Sequence, residues 1–369
     1  MTHRSVVKTL RVPLLLLGLM VGAGAAVVDP SAPAGEESAD TNARSLSFAF
    51  WNLENLFDTE DDPRNPGDDE YLPEKEWTPE RYERKVDHLA RMIAKLDVDL
   101  LGVCEVENRR VLEDLVRHPA LAEHGYAIAH LDAGDKRGID LGLLHRAPFS
   151  VAEQERAIHV WKVDLGEDVP PTRGILEVRL VAEDEPLTVL VNHWPSRSGG
   201  REKSAPHRQA AAETVRRIVT ARLDAARDQG REGDILLLGD FNDDPHDPSL
   251  VEHLGAVRGK QALEGDRGRT RLFNPSWSVL ATPDRGTLYY RAGWNVFDQA
   301  IVSRGMLDEV GFSFVEGSFE VVDRAELRND SHVHRPPHWF RRYGGRWSEG
   351  YSDHFAVRGS LRLHPPSGE

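Results

Sequence analysis

Short apolar runs recur along this chain, and several stop abruptly at acidic, amide or imidazole side chains. Leu236, Leu237 and Leu238 lead through Gly239 to Asp240 and, past Phe241, to Asn242. Residues 47–51 lead to Asn52 and Glu54, residues 99–104 to Glu105 and Glu107, and residues 187–191 to Asn192 and His193. A late run, 296–302, carries Asp298 inside it, and Ser352-Asp353-His354 precedes the last apolar segment. Runs of this length, rich in β-branched or aromatic residues and flanked by turn residues, predict strands. Their ends deliver acids and histidines to a sheet edge. Buried carboxylates are costly unless paired or bound to a cation, so the repeated placement points to one polar site.

Two segments show helical spacing instead. Thr78-Pro79 is a favourable start, with Thr as N-cap and Pro in the first turn, and Tyr82, Val86, Leu89, Ile93 and Leu96 then form one apolar stripe. A second helix is expected over 206–227, with Ala210, Val215, Ile218 and Leu223 inward. Strands alternating with helices, together with runs of consecutive strands, suggest sheets covered by helices. Residues 58–77 form an acidic, Pro-containing loop, read as a solvated loop or as a flap beside the site.

The N-terminus has a different character. Arg4, Lys8 and Arg11 precede a short apolar stretch and then small residues through Ala26, the pattern of a secretory signal over 1–26. Residues 27–45 read as a flexible spacer, 46–363 as a single domain and 364–369 as a tail. A secreted or periplasmic destination follows, with no stable membrane anchor after cleavage. The one cysteine, Cys104, excludes an intrachain disulfide and reads as a small buried hydrophobe. The formal charge is −15, and the first 26 residues carry three basic side chains and no acid. Such a balance argues against coating nucleic acid by bulk electrostatics, but not against a phosphodiester substrate, since a divalent cation reverses the local sign.

Asn52 in Trp-Asn-Leu-Glu-Asn, Glu105, His193, Gly-Asp-Phe-Asn at 239–242, Asp298 and Ser-Asp-His at 352–354 occur in one order that resembles the endonuclease/exonuclease/phosphatase superfamily. The resemblance spans 46–363. It implies a mixed α/β (α+β) fold, a four-layer α/β/β/α sandwich, and metal-dependent phosphoester hydrolysis at one end of two packed sheets. In that likeness Glu105 is the main Mg²⁺ or Mn²⁺ ligand, with Asn52 and Asp353 beside it; oxygen ligands suit such hard cations. Asp240 orients or deprotonates the attacking water, and Asn242 donates to the phosphoryl oxygens. His354, held by Asp298, stabilises the transition state or moves a proton, and His193 serves the leaving oxygen. Phosphodiester hydrolysis needs these parts on physical grounds as well.

Other residues keep two readings. Glu54 faces the site or is a surface acid. Arg173 contacts a phosphate or completes a turn, and Asp140 stands at a strand start facing the cleft rim. Arg197, Arg201, Lys203, His207 and Arg208 form one basic cluster, and Arg341, Arg342 and Arg346 another. Both attract phosphate, or pair with the abundant acids. His332, His334 and His338 read as a solvated loop rather than a metal tract, and Trp339, Phe340 and Trp347 as side chains able to enter a lipid interface. The expectation is a monomeric, exported phosphodiesterase, foremost an endonuclease with nucleic acid as substrate. A sphingomyelinase-like or inositol-phosphate-type phosphoesterase is the alternative, and a non-catalytic binding module comes last.

Overall fold

The computed structural model describes residues 43–63, 65–167, 169–291 and 293–365. The expected signal segment and nearly all of the expected spacer lie outside the described residues. Two large sheets dominate. In the first, the long strand β1 (Arg44–Leu56) lies between β2 (Leu100–Val106), parallel to it, and the antiparallel C-terminal strand β19 (Val357–Leu363). β4 (Asp140–His145) and β3 (Ala127–Leu131) extend the sheet beyond β2, while β15 (Phe312–Phe314) and β16 (Glu320–Val321) pair with β19. The second sheet centres on β8 (Glu185–His193) and the parallel β9 (Ile235–Asp240). β7 (Ile175–Ala182), β5 (Ser150–Val151) and β6 (Ile158–Trp161) lie on one side. β14 (Asp298–Val302), β11 (Leu272–Phe273) and β10 (Ala256–Val257) lie on the other. Two hairpins stand apart, β12–β13 (Leu288–Tyr290, Gly293–Asn295) and β17–β18 (Phe340–Tyr343, Arg346–Glu349).

Strand alternation separates three cores. Leu46, Phe48 and Phe50 of β1 meet Leu236 and Leu238 of β9 between the sheets. The alternate residues Ala49, Trp51 and Leu53 pack outward beneath helix α1 (Pro79–Leu96), with Val86, Leu89 and Ile93, and beneath α2 (Arg109–Arg117). On the opposite outer face, Ile235 and Leu237 pack beneath α3 (Arg201–Arg227), with Val215, Ile218 and Leu223. Helix, sheet, sheet, helix: this is the four-layer sandwich. Strands apolar on both faces follow from it, which is why the runs in the sequence are continuous rather than alternating.

Three details depart from the sequence reading. α3 begins at Arg201, five residues earlier than expected, because Gly199 and Gly200, at φ +77 and +118, set up its entry and Pro206 falls inside the helix. Asp298 opens β14 rather than lying within a strand. The 58–77 loop is pinned: the Trp77 indole donates to the Phe57 and Asp58 carbonyls (3.2 and 3.0 Å), and Tyr71 stacks on Phe57 at 4.2 Å.

Candidate active site

The polar residues converge where β1, β2, β8, β9 and β14 end. Register aligns them: His193 lies opposite Asp240 on β8–β9, and Asp240 opposite Asp298 on β9–β14. Gly239 permits this, because a Cβ there would come within 2.5 Å of the Asn192 Cβ. In the other sheet the β1–β2 and β2–β4 registers shift at Asn52/Leu56 and Cys104/Val106, bulges that re-aim the side chains after them. Glu54, Asn55 and Glu105 take φ of +50, +53 and +58 there, and Asn242 takes +51 just beyond β9. Left-handed backbone at non-glycine positions is uncommon, and such outliers cluster at functional sites.

Asn52 joins the two sheets. Its Nδ2 donates to Glu105 Oε1 and to Asp240 Oδ2, each at 3.2 Å, while its Oδ1 accepts from the Glu54 amide at 2.9 Å. Glu105 Oε2 accepts from the Asn55 amide at 3.1 Å. His193 Nε2 lies 3.7 Å from Glu105 Oε1 and 3.6 Å from Asp240 Oδ2. Asp240 Oδ1 accepts from the Asn242 amide at 2.9 Å, and the Asn242 side chain spends one N–H on the Trp194 carbonyl (3.0 Å). Across the site, His354 Nδ1 is 2.7 Å from Asp298 Oδ2, and its Nε2 is 3.9 Å from both Asp240 Oδ2 and Asp353 Oδ1. Asp353 Oδ2 accepts from Arg341 Nη1 at 3.0 Å.

The two histidines are driven apart. Burial alone would lower His354, but the facing charges of Asp298, Asp240 and Asp353 outweigh it and raise this imidazole well above its ordinary value. His193 has no such anchor. Burial, with Arg173, Arg137 and His354 nearby, holds it well below its ordinary value, and its Nδ1 is buried without a partner. The surroundings thus favour charge on one ring and neutrality on the other, the division of labour that acid–base chemistry uses.

Negative charge is in excess. Glu54, Asp240 and Asp298 are almost wholly buried, and Glu105 and Asp353 mostly so. Burial raises the carboxyls of Glu54 and Asp240, and Glu54 Oε1 and Asp298 Oδ1 have no hydrogen-bond partner. Their cationic neighbours are His354, the half-exposed Arg341 and Lys85, a buried lysine lowered by desolvation that donates to the Glu54 carbonyl. A cluster of oxygen donors short of positive charge fits a hard divalent cation. Asp240, Asp298 and His354 also bring donor atoms within 4.8 Å of one another, although His354 Nδ1 and Asp298 are engaged with each other.

Arg173, Arg197 and Asp140 lie outside this convergence. Arg173 is buried and committed: Nε to the His193 carbonyl and Nη2 to the Trp194 carbonyl (both 2.7 Å), and Nη1 to Asp135 at 3.2 Å. It braces the end of β8. Arg197 bonds the Asn242 carbonyl (2.9 Å) and Asp243, Asp244 and Asp247 (3.0, 3.2 and 2.7 Å). Arg208 joins Asp243 and Arg201 joins Asp247 in the same knot. Asp140 is held by His130 Nε2 (2.9 Å) and the Ala133 amide (2.8 Å). Of the basic cluster read after His193, only Lys203 and His207 remain outside that knot. The acids that neutralise the others follow directly on Asn242, and the Asp243-Asp244 pair was the available signal. Lys85 was missed because it sits beside the apolar stripe of α1. Tyr71 was missed because its loop looked solvated, yet burial, Glu105 and Glu54 raise its phenol above the ordinary range.

The profile of the Endonuclease/Exonuclease/phosphatase family matches residues 47–362. The chain belongs to this family. No curated protein matches it. Among solved structures it resembles an endonuclease/exonuclease/phosphatase family protein from Bacteroides thetaiotaomicron (TM-score 0.53, 16% identity, covering 87% of this chain and 98% of that one). It also resembles a mannosyl-6-phosphatase from the same organism (0.52, 17%, 86% and 99%) and a D. rerio TDP2 humanized by 14 mutations (0.52, 13%, 86% and 98%). At these identities the likeness establishes the fold. Endonuclease/exonuclease/phosphatase proteins are hydrolytic phosphoesterases, and this chain has the architecture of that family.

Proposed function

We propose that this protein is an exported, monomeric, divalent-cation-dependent phosphodiesterase, acting foremost as an endonuclease on nucleic acid. What supports a diester over a monoester is that compartments lie on both sides of the 194–200 loop, one of them reaching the site residues Asn242 and Asp353. A compartment of about 370 Å³ reaches from Asn242 and Asp353 to Tyr289 and Trp339. Another of about 570 Å³ lies beside Arg173 and carries Lys136, Arg137, Lys203 and His207. Both are lined by Ser196, Ser198 and Gly199, so a chain continuing on either side of one phosphate has room. Lys136 and Lys203 make no ion pair among the described residues, which leaves them free for phosphates.

In this reading Glu105, Asn52 and Asp353 would hold Mg²⁺ or Mn²⁺, which would supply charge neutralisation at the phosphoryl oxygens. Asp240 orients the attacking water in line and takes its proton. Asn242 offers its second amide N–H to a non-bridging oxygen. His354, oriented through Nδ1 by Asp298, presents a protonated Nε2 to the developing charge and is the proton reserve of the site. His193, neutral, adds a hydrogen bond on the leaving-oxygen side.

A lipid substrate is disfavoured because two of the three aromatic side chains that would enter a membrane, Phe340 and Trp347, pack against the protein. Phe340 is buried against Trp77 at 5.9 Å, and Trp347 packs on Trp77 at 5.5 Å with Arg81 over its ring. Export rests on the N-terminal pattern in the sequence. The test is Mg²⁺-dependent nicking of supercoiled plasmid by the chain lacking residues 1–26, with EDTA and His354→Ala as controls, alongside sphingomyelin, inositol phosphates and mannose 6-phosphate. Nicking lost in both controls is the expected result. Turnover of a monoester or lipid without nicking would overturn the substrate.

A further inference from the structure

The two compartments differ in kind. That beside Lys136 and Lys203 has no Phe, Tyr or Trp in its lining. The other gathers Tyr289, Tyr290 and Trp339 from two separate segments, the β12–β13 hairpin and the approach to β17. Guanidinium groups border these rings, Arg341 at 5.4 Å from the Trp339 centroid and Arg291 at 5.2 Å from that of Tyr290. Tyr289 is braced from behind: it stacks on His334 at 4.8 Å and 24°, and meets Trp294 edge-on at 5.5 Å. Arg341 also bonds Asp353, so the aromatic wall is tied to the catalytic residues through one side chain.

Resting on the phosphodiesterase reading above, we infer that this compartment is a subsite for one unpaired nucleobase of the strand being cleaved, next to the scissile phosphate. A braced ring wall bordered by guanidinium groups suits a flat π-system through stacking and cation–π contact, and it tolerates any base because every base has a π-face. A volume near 370 Å³ lies in the range of pockets that enclose a small ligand. A base in a duplex is already stacked and must be extruded before it can enter, so the same pocket favours single-stranded or locally open substrate. The basic compartment then takes backbone phosphates on the other side of the cut.

The test compares kcat/KM on three 12-residue substrates: oligothymidylate, its duplex with oligoadenylate, and a backbone of the same charge made of abasic tetrahydrofuran units. The full exported chain is compared with Tyr290→Leu and Trp339→Leu, positions outside the catalytic machinery. The wild type is expected to prefer oligothymidylate over the abasic strand by about tenfold or more, the scale of one base–aromatic stack, and over the duplex as well. Each variant should lose the preference through a raised KM while its turnover of the abasic strand stays at the wild-type level, which also certifies that it is folded. Equal wild-type turnover of abasic and base-bearing strands overturns the subsite alone. So does an equal loss on both strands in the variants, which would make the rings structural. Cleavage of no strand overturns the nucleic-acid reading together with the subsite.

Discussion

Replacing Asp298 by Asn keeps the shape of the side chain and an oxygen able to accept from His354 Nδ1, but removes the charge. The contact is short, 2.7 Å, and both partners are buried, so little water can compensate. Hydrogen bonds to charged groups contribute about 1.5–3 kcal/mol. If that stabilisation is expressed in the transition state, kcat falls by about 10- to 100-fold, at about 1.4 kcal/mol per tenfold. The sign of the pH effect follows from the same pair. Asp298 raises His354, so in the wild type the imidazolium persists above its ordinary range, and any stability it contributes is complete at low pH and is lost as pH rises through the folded value. In Asp298→Asn that value drops, and the alkaline limb of the kcat/KM profile moves to lower pH. Steady-state profiles from about pH 5 to 9.5, at saturating Mg²⁺ and on a base-bearing oligonucleotide, read both effects. An unchanged kcat, or an alkaline limb displaced upward, would refute the assignment of His354 as a charged group acting in the reaction. Asp298→Ala is a harsher change: breaking a buried pair costs about 3–5 kcal/mol, so its effect on folding must be measured separately.

Three further outcomes are expected. Mg²⁺ or Mn²⁺ should raise the Tm of the wild type and leave Glu105→Gln unmoved; an equal shift in both would place the cation elsewhere. Arg173→Met removes the guanidinium contacts to Asp135 and to the His193 and Trp194 carbonyls, and should cost about 3 kcal/mol by urea denaturation with an unchanged m-value. Asp234, away from the site, has its carboxyl raised to about 8, chiefly by burial. The folded state therefore keeps a proton that the unfolded chain releases near pH 4, and wild-type stability falls as pH rises between those values. Asp234→Asn should gain Tm relative to the wild type across that interval and then level off; a gap that narrows with pH would contradict the shift.

The fold was legible because the central strands of a four-layer sandwich are buried on both faces. Such strands read as unbroken apolar runs, and in a run like Leu236–Leu238 the first polar residue marks where the sheet ends. The α1 stripe was legible for the equivalent reason at helical period. The convergence of Asn52, Glu105, His193, Asp240 and His354 could be expected from strand ends alone, but their contacts could not. Pairing that crosses the fold stayed hidden. Arg197 lies 46 to 50 positions from the acids that bind it, and Arg173 lies 38 from Asp135, so the sequence could not decide between a phosphate contact and a structural role for either. Lys85 was hidden differently: a lysine on the flank of an apolar stripe looks the same whether it reaches solvent or the Glu54 carbonyl.

The left-handed backbone at Glu54 and Glu105 has a consequence for how this protein can change. Each such residue costs on the order of 1 kcal/mol or more, a strain glycine would not feel. Glu54→Gly and Glu105→Gly would release that strain, but each also removes an acceptor, Glu54 for the Phe340 amide and Glu105 for Asn52 Nδ2 and the Asn55 amide. The second of those would delete the carboxylate around which the chemistry is arranged. Robustness and turnover compete here for the same positions, so a thermostable descendant that keeps its activity must have gained its stability elsewhere.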